Sequence, residues 1–249
     1  MNSAEVAFDK YAVKGAYHWA ELFGPVHRRN AYTMARYGAV LAALRDGGIR
    51  SGSRVLDVGC GDAALTGLVA NKLGARVTGV DTVPLSIELA KAEFAKRHLA
   101  GEFALIDGYE YPFDDASFDA VVCSDVIEHV LDPTALLKEM WRVLAPGGMA
   151  VLTTPVRYTE KPLDRMHVQE WFPGDFTSLC ETTLGAPVVL KLSHPVAWSE
   201  LYASPAPVLG RTVRLAINLA AVLGKNVFSG MGHLRAPSTQ TVIATKARV

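Results

Sequence analysis

Two groups of residues in this sequence could do chemistry. The first is Asp57-Val58-Gly59-Cys60-Gly61-Asp62, followed by a second acid at Asp81. Alternate glycines let the chain turn tightly and let a ligand approach the backbone. The N–H groups of a helix starting there would point at that ligand. A carboxylate placed like Asp81 can accept both hydroxyls of a ribose. The second group is Asp125-Val126-Ile127-Glu128-His129. Positions i, i+3 and i+4 share one helical face, so two carboxylates and an imidazole would converge. With the distant His167, they make a donor set for a hard or borderline divalent ion. An ion there would lower the pKa of a substrate hydroxyl. Without one, Glu128, His129 and His167 remain acid–base candidates.

Elements must hold these residues in place. Between positions 54 and 154, apolar strand-like runs alternate with helical patterns, which predicts a parallel sheet covered by helices on both faces. Strands are expected at 54–58, 76–80, 103–106, 120–123 and 149–153, with helices at 63–73, 85–98 and 134–144. A further helix is expected at 175–183 and strands at 187–192 and 241–245. The first fifty residues read as a helical cap over one end of the sheet. Residues 193–238, punctuated by Pro and Gly around one apolar helix at 208–223, read as an inserted lid or substrate segment. The chain is thus read as a single domain: cap 1–50, core 51–192 and 239–249, insertion 193–238.

In this layout the glycine loop lies where strand order reverses, at the mouth of a crevice. Two ligands share such a loop, a nicotinamide dinucleotide and S-adenosylmethionine. Asp57 separates them. A pyrophosphate disfavours a carboxylate there, whereas an amino acid next to a sulfonium tolerates one. A turn that needs glycine and binds nothing is the bland alternative.

Composition narrows the classes. The chain has 249 residues, 25 basic against 25 acidic. That balance counts against a protein dominated by nucleic-acid binding. Three cysteines at no metal-ligand spacing make no disulfide framework and suggest a reducing compartment. The early charges of MNSAEVAFDKYAVKG do not read as a secretory signal, and Arg211 and Arg214 interrupt the longest apolar stretch. A cytoplasmic protein without a membrane span is expected, with peripheral membrane contact left open through the 208–223 helix. Cys60 and Cys123 read as small buried apolar residues.

The chain resembles the class I S-adenosylmethionine-dependent methyltransferases from about residue 54 to 155. The resemblance rests on the glycine loop, Asp81, Asp107-Gly108, the 113–122 stretch FDDASFDAVV and Leu144-Ala145-Pro146-Gly147-Gly148. It implies a doubly wound, seven-stranded, mostly parallel α/β sheet whose last strand is antiparallel, with S-adenosylmethionine as cofactor. It further implies that Asp57, Gly59, Cys60 and Gly61 line the methionine half, with Asp81 and Thr82 at the ribose. Asp107 and Gly108 would then meet the adenine and Ser124 the amine, while Arg28 is a candidate for the carboxylate. The Asp125-x-x-Glu128-His129 pattern is similar to that of ubiquinone-biosynthesis O-methyltransferases and of small-RNA 3′-terminal 2′-O-methyltransferases. Asp125 stands where those families have the longer Glu. The expected activity is methyl transfer to an oxygen, less surely a nitrogen or carbon, of a small-molecule acceptor. The aromatics of the cap and insertion suit an apolar or aromatic acceptor, or else simply join cap to sheet. A nicotinamide-dependent oxidoreductase and a non-catalytic cofactor-binding module are the competing readings.

Overall fold

The computed structural model describes residues 10–162 and 164–248. The first nine residues, part of the segment read as lacking a secretory signal, lie outside the described residues. Seven strands form one sheet: β1 Arg54–Val58, β2 Arg76–Asp81, β3 Glu102–Leu105, β4 Phe118–Ser124, β5 Leu144–Pro155, β6 Val188–Pro195 and β7 Pro237–Thr245. Their order is β3-β2-β1-β4-β5-β7-β6; β7 pairs antiparallel with both β5 and β6, and the other pairings are parallel. The helices are α1 Lys10–Lys14, α2 Tyr17–Phe23, α3 Ala31–Asp46, α4 Ala64–Leu73, α5 Pro84–Lys96, α6 Pro133–Val143, α7 Pro173–Leu184, α8 Val196–Tyr202 and α9 Leu209–Val222. This is the doubly wound fold expected. From β1 the chain winds outward to β2 and β3, then returns to β4 and winds the other way, so the crevice opens between the carboxyl ends of β1 and β4.

The central strands are mostly apolar because both of their faces are buried, with Asp57 a charged residue in the buried part of β1. Val55, Ala120, Val122 and Val151 pack with α3 and α4, while Leu56, Val121, Cys123 and Leu152 pack with α6 and α7. The cap is therefore more than a cover over one end. Its long helix α3 sends Tyr37, Val40, Ala43 and Leu44 into the first of these clusters and forms part of one helical layer. Asn30 caps α3, its side chain accepting the Tyr32 and Thr33 amides.

Two expectations needed correction. Strand five starts at Leu144, because the Pro146-Gly147-Gly148 turn is absorbed into β5 with a register shift opposite Phe118–Ala120. The insertion between β6 and β7 holds two helices, since α8 precedes α9. At seven residues, directly after Pro195, α8 is too short to show a period of 3.6.

Candidate functional site

The chain leaves β1 at Val58 and turns through Gly59 and Gly61, both in the left-handed region, φ 68° and 56°. Their amides are spoken for. Gly59 and Cys60 donate to the Val80 carbonyl at 2.8 and 3.0 Å, and Gly61 donates to Asp81 Oδ2 at 2.9 Å. Asp81 Oδ1 accepts the Val83 amide at 2.8 Å, so the second acid is clamped where β2 ends. A side chain on Gly59 would strike Val126, and one on Gly61 would strike the Tyr11 hydroxyl. Protein packing alone therefore demands both glycines, which do not by themselves indicate a ligand.

The carboxylates say more. Asp57 is buried and accepts one hydrogen bond, from Thr66 Oγ1 at 2.5 Å. Burial, with Asp81 nearby, pushes it up to about 7. Burial also raises Asp81, although its backbone donors pull the other way. Neither acid forms an ion pair among the described residues. The neighbouring Asp62 is the docking point of the cap. It accepts the His18 amide at 2.9 Å, lies 3.2 Å from His18 Nδ1, and its carbonyl accepts Trp19 Nε1 at 2.7 Å.

A pH dependence follows from Asp57. An aspartate normally titrates near about 4. Between that pH and about 7 the folded chain holds a proton that the unfolded chain has released. Stability should therefore be full below about pH 4 and fall as pH rises to about 7, by up to about 4 kcal/mol. Urea denaturation at pH 5 and pH 8 should show this loss in the wild type and a smaller one in Asp57→Asn. Equal losses would refute the assignment.

The second group is partly assembled. Val126 leads into a 3-10 turn, Ile127–His129. The segment after β5 folds back on this turn, with the Val168 amide donating to the Glu128 carbonyl at 2.8 Å. Ligating atoms of Glu128, His129 and His167 then lie within 4.8 Å of one another. The His129 Nδ1 lies 2.8 Å from the Met166 carbonyl and the His167 Nδ1 lies 2.6 Å from Glu170 Oε1. Because those oxygens only accept, each neutral ring carries its proton on Nδ1 and its lone pair on Nε2. Burial holds His129 below the usual imidazole range. Glu128 is fully buried; its Oε2 accepts Thr154 Oγ1 at 3.1 Å, and its Oε1 has no partner among the described residues. Burial, then Asp125, drives its pKa well above the usual range.

Asp125 is not part of this cluster. It sits at φ 53°, pairs with Arg36 of α3 and accepts Thr153 Oγ1 at 2.9 Å. Thr153 spends its proton there, so Ser124 Oγ, 2.8 Å away, donates to Thr153. The shorter acid is thus tied to α3 rather than to the histidines.

The remaining expected residues scatter. Asp107 and Gly108 are exposed after β3, where Asp107 lines an open cleft with Tyr109 and Lys138. Thr82 is exposed beside Asp81. Cys60 packs its sulfur against Gly79, and burial raises the Cys60 and Cys123 thiols well above their usual range, so neither is a ready nucleophile. Arg28 is exposed on a turn, Val26–Arg28, that packs against α9; the guanidinium at the crevice is instead that of Arg36. Sequence reasoning missed Arg36 and Tyr11, since only long-range packing brings them here, and gave Asp62 no role of its own. Of the aromatics, Trp19, Trp171 and Trp198 join elements as core, Phe23 and Phe172 are exposed, and Tyr11 and Tyr17 stack around His18 near the loop.

Residues 56–152 match the family described as "Methyltransferase domain". The chain is 34% identical over 154 residues to the ubiquinone biosynthesis O-methyltransferase of Xanthomonas oryzae pv. oryzae (strain PXO99A), covering 61% of this chain and 62% of that protein. It is 27% identical over 197 residues to the 2-methyl-6-phytyl-1,4-hydroquinone methyltransferase of Synechocystis sp., covering 72% of this chain and 62% of that one. The chain therefore spans a little under two thirds of the length of these curated relatives. Among solved structures, it superposes on Haemonchus contortus phosphoethanolamine N-methyltransferase 2 in complex with S-adenosyl-L-methionine, with a TM-score of 0.63 at 19% identity, covering 100% of this chain and 62% of that one. That likeness speaks for the fold.

Proposed function

We propose that this chain, whose residues 56–152 match a methyltransferase domain, is a class I S-adenosylmethionine-dependent enzyme that moves a methyl group to a hydroxyl of a small, largely apolar aromatic acceptor. The observation that carries the cofactor reading is electrostatic. Asp57 and Asp81 are buried beside one loop, and neither forms an ion pair among the described residues. A sulfonium and an ammonium would relieve that burial, whereas a diphosphate would worsen it. This also weighs against the nicotinamide reading.

Bound S-adenosylmethionine supplies an electrophilic methyl group. The chain's own part is to hold the reactants in line, which can contribute about 7–11 kcal/mol. In our reading Asp57 and the loop backbone hold the amino-acid half and Asp81 the ribose. Asp107 meets the adenine, and Ser124 is fixed near the amine by its bond to Thr153. The acceptor class is suggested by the O-methyltransferase and hydroquinone methyltransferase relatives.

We further propose that Glu128, His129 and His167 hold a divalent ion. A carboxylate oxygen of Glu128 and a ring nitrogen each of His129 and His167 make a donor set of mixed O and N. Such an ion supplies Lewis acidity that lowers the pKa of a nearby hydroxyl. A second reading rests on the same geometry: His129, kept neutral by burial, takes the hydroxyl proton itself. Chelation separates the two. Methyl transfer from labelled S-adenosylmethionine to a panel of catechols and hydroquinones should fall at least tenfold in EDTA and in Glu128→Gln, and return with added manganese or zinc in the wild type only. Full activity in EDTA would assign His129 the base role, and no transfer to any acceptor despite cofactor binding would favour the non-catalytic module.

A further inference from the structure

The outer face of α9 is the wrong way round for a solvent-facing helix. Its inner face buries Gly210, Ile217, Asn218 and Ala221. Asn218 ties it down, accepting the Ala31 amide and donating to the Val26 and Arg29 carbonyls. An amphipathic helix held this way should turn polar residues to water. Instead Val208, Leu215, Leu219 and Val222 recur along the opposite side, with Leu223 beside them, and Val208 and Leu223 are 78% and 72% exposed. Arg211, exposed, lies on the same helix, and Lys225, also exposed, follows its end. Residues 193–238 hold four bases, Arg211, Arg214, Lys225 and Arg235, against one acid, Glu200, in a chain that is balanced overall. None of the four bases forms an ion pair among the described residues.

We infer that this face docks on an anionic lipid surface. The helix has 14 residues, about 21 Å, and no described helix is long and apolar enough to cross a bilayer. It would lie in the interface, leucines among the acyl chains and Arg211 and Lys225 at the headgroups. A nucleic acid offers nothing to the leucines. A second copy related by a two-fold axis would set Arg211 of one chain towards Lys225 of the other, like charge against like. A surface both apolar and anionic answers both features. The inference stands on α9 alone and does not depend on the proposed chemistry.

The test is co-sedimentation with vesicles of phosphatidylcholine alone, or of equal parts phosphatidylcholine and phosphatidylglycerol. The wild type should partition to the anionic vesicles roughly tenfold more strongly than to the neutral ones, and lose that preference at high salt. Arg211→Glu/Lys225→Glu and Leu215→Gln/Leu219→Gln should each cut partitioning by roughly tenfold or more. Both variants should bind S-adenosylhomocysteine as the wild type does, so that loss of docking is distinguishable from loss of the cofactor site. Absence of wild-type binding to anionic vesicles, or equal binding by wild type and both variants, would overturn the inference. So would a lipid-free dimer that the leucine variant dissolves, because the face would then belong to a second copy.

Discussion

Asp81→Ala should lower the affinity for S-adenosylhomocysteine by at least about a hundredfold, near 2.7 kcal/mol. Two losses combine. A charged acceptor contributes about 1.5–3 kcal/mol for each hydrogen bond it makes, and in our reading Asp81 accepts from the ribose. The same carboxylate also holds the Gly61 and Val83 amides, so removing it loosens the loop that forms the rest of the site. Asp81→Asn keeps an acceptor for one of those amides and should fall between the wild type and Asp81→Ala. Calorimetric titration gives the numbers, and circular dichroism confirms that the fold persists. Unchanged affinity in Asp81→Ala would remove Asp81 from the cofactor site.

Arg36→Met should lower stability by about 3 kcal/mol. The ion pair between Arg36 and Asp125 joins α3 to the loop after β4, and both side chains are largely buried, 13% and 22% exposed. Removing the arginine leaves a largely buried carboxylate whose remaining side-chain hydrogen bond comes from Thr153 Oγ1. An uncompensated charge in such a place is costly, whereas losing both partners is often mild. The double variant Arg36→Met/Asp125→Asn should therefore recover most of the loss in urea denaturation. If the double variant is as unstable as the sum of its parts, the pair is not coupled and Arg36 acts through packing alone.

Much of the architecture was legible because its causes are local. β1 and β4 are runs whose two faces both need covering, and that shows as apolar residues at most positions, Val55, Leu56 and Val58 in β1 and Ala120-Val121-Val122-Cys123 in β4. The break at Gly59 and Gly61 followed by helical periodicity marks the first crossover. The late 241–245 run was expected as the antiparallel strand, and β7 is that strand. What failed to show was short or distant. α8 has too few residues for a period. The start of β5 was hidden because proline and glycines normally end a strand, and here a register shift admits them.

The candidate site divides in the same way. The spacing of Glu128 and His129 placed them together, and the return of His167 could be suspected from the sequence. Only the fold-back of residues 164–171 onto Glu128 brings it within ligand distance. The assignment of Asp125 to that cluster failed because its partner, Arg36, lies 89 positions earlier. No local pattern announces such a pair. The glycines, which looked like the strongest sign of a ligand, turn out to be required by Tyr11 and Val126. Asp57 and Asp81, buried acids without a counterion, are the better witnesses.

That charge deficit is tested most directly by titrating the wild-type protein at pH 7 with S-adenosylhomocysteine and, separately, with NADH. The account expects one molecule of S-adenosylhomocysteine bound per chain and no heat from NADH. Binding of NADH with none of S-adenosylhomocysteine would contradict it.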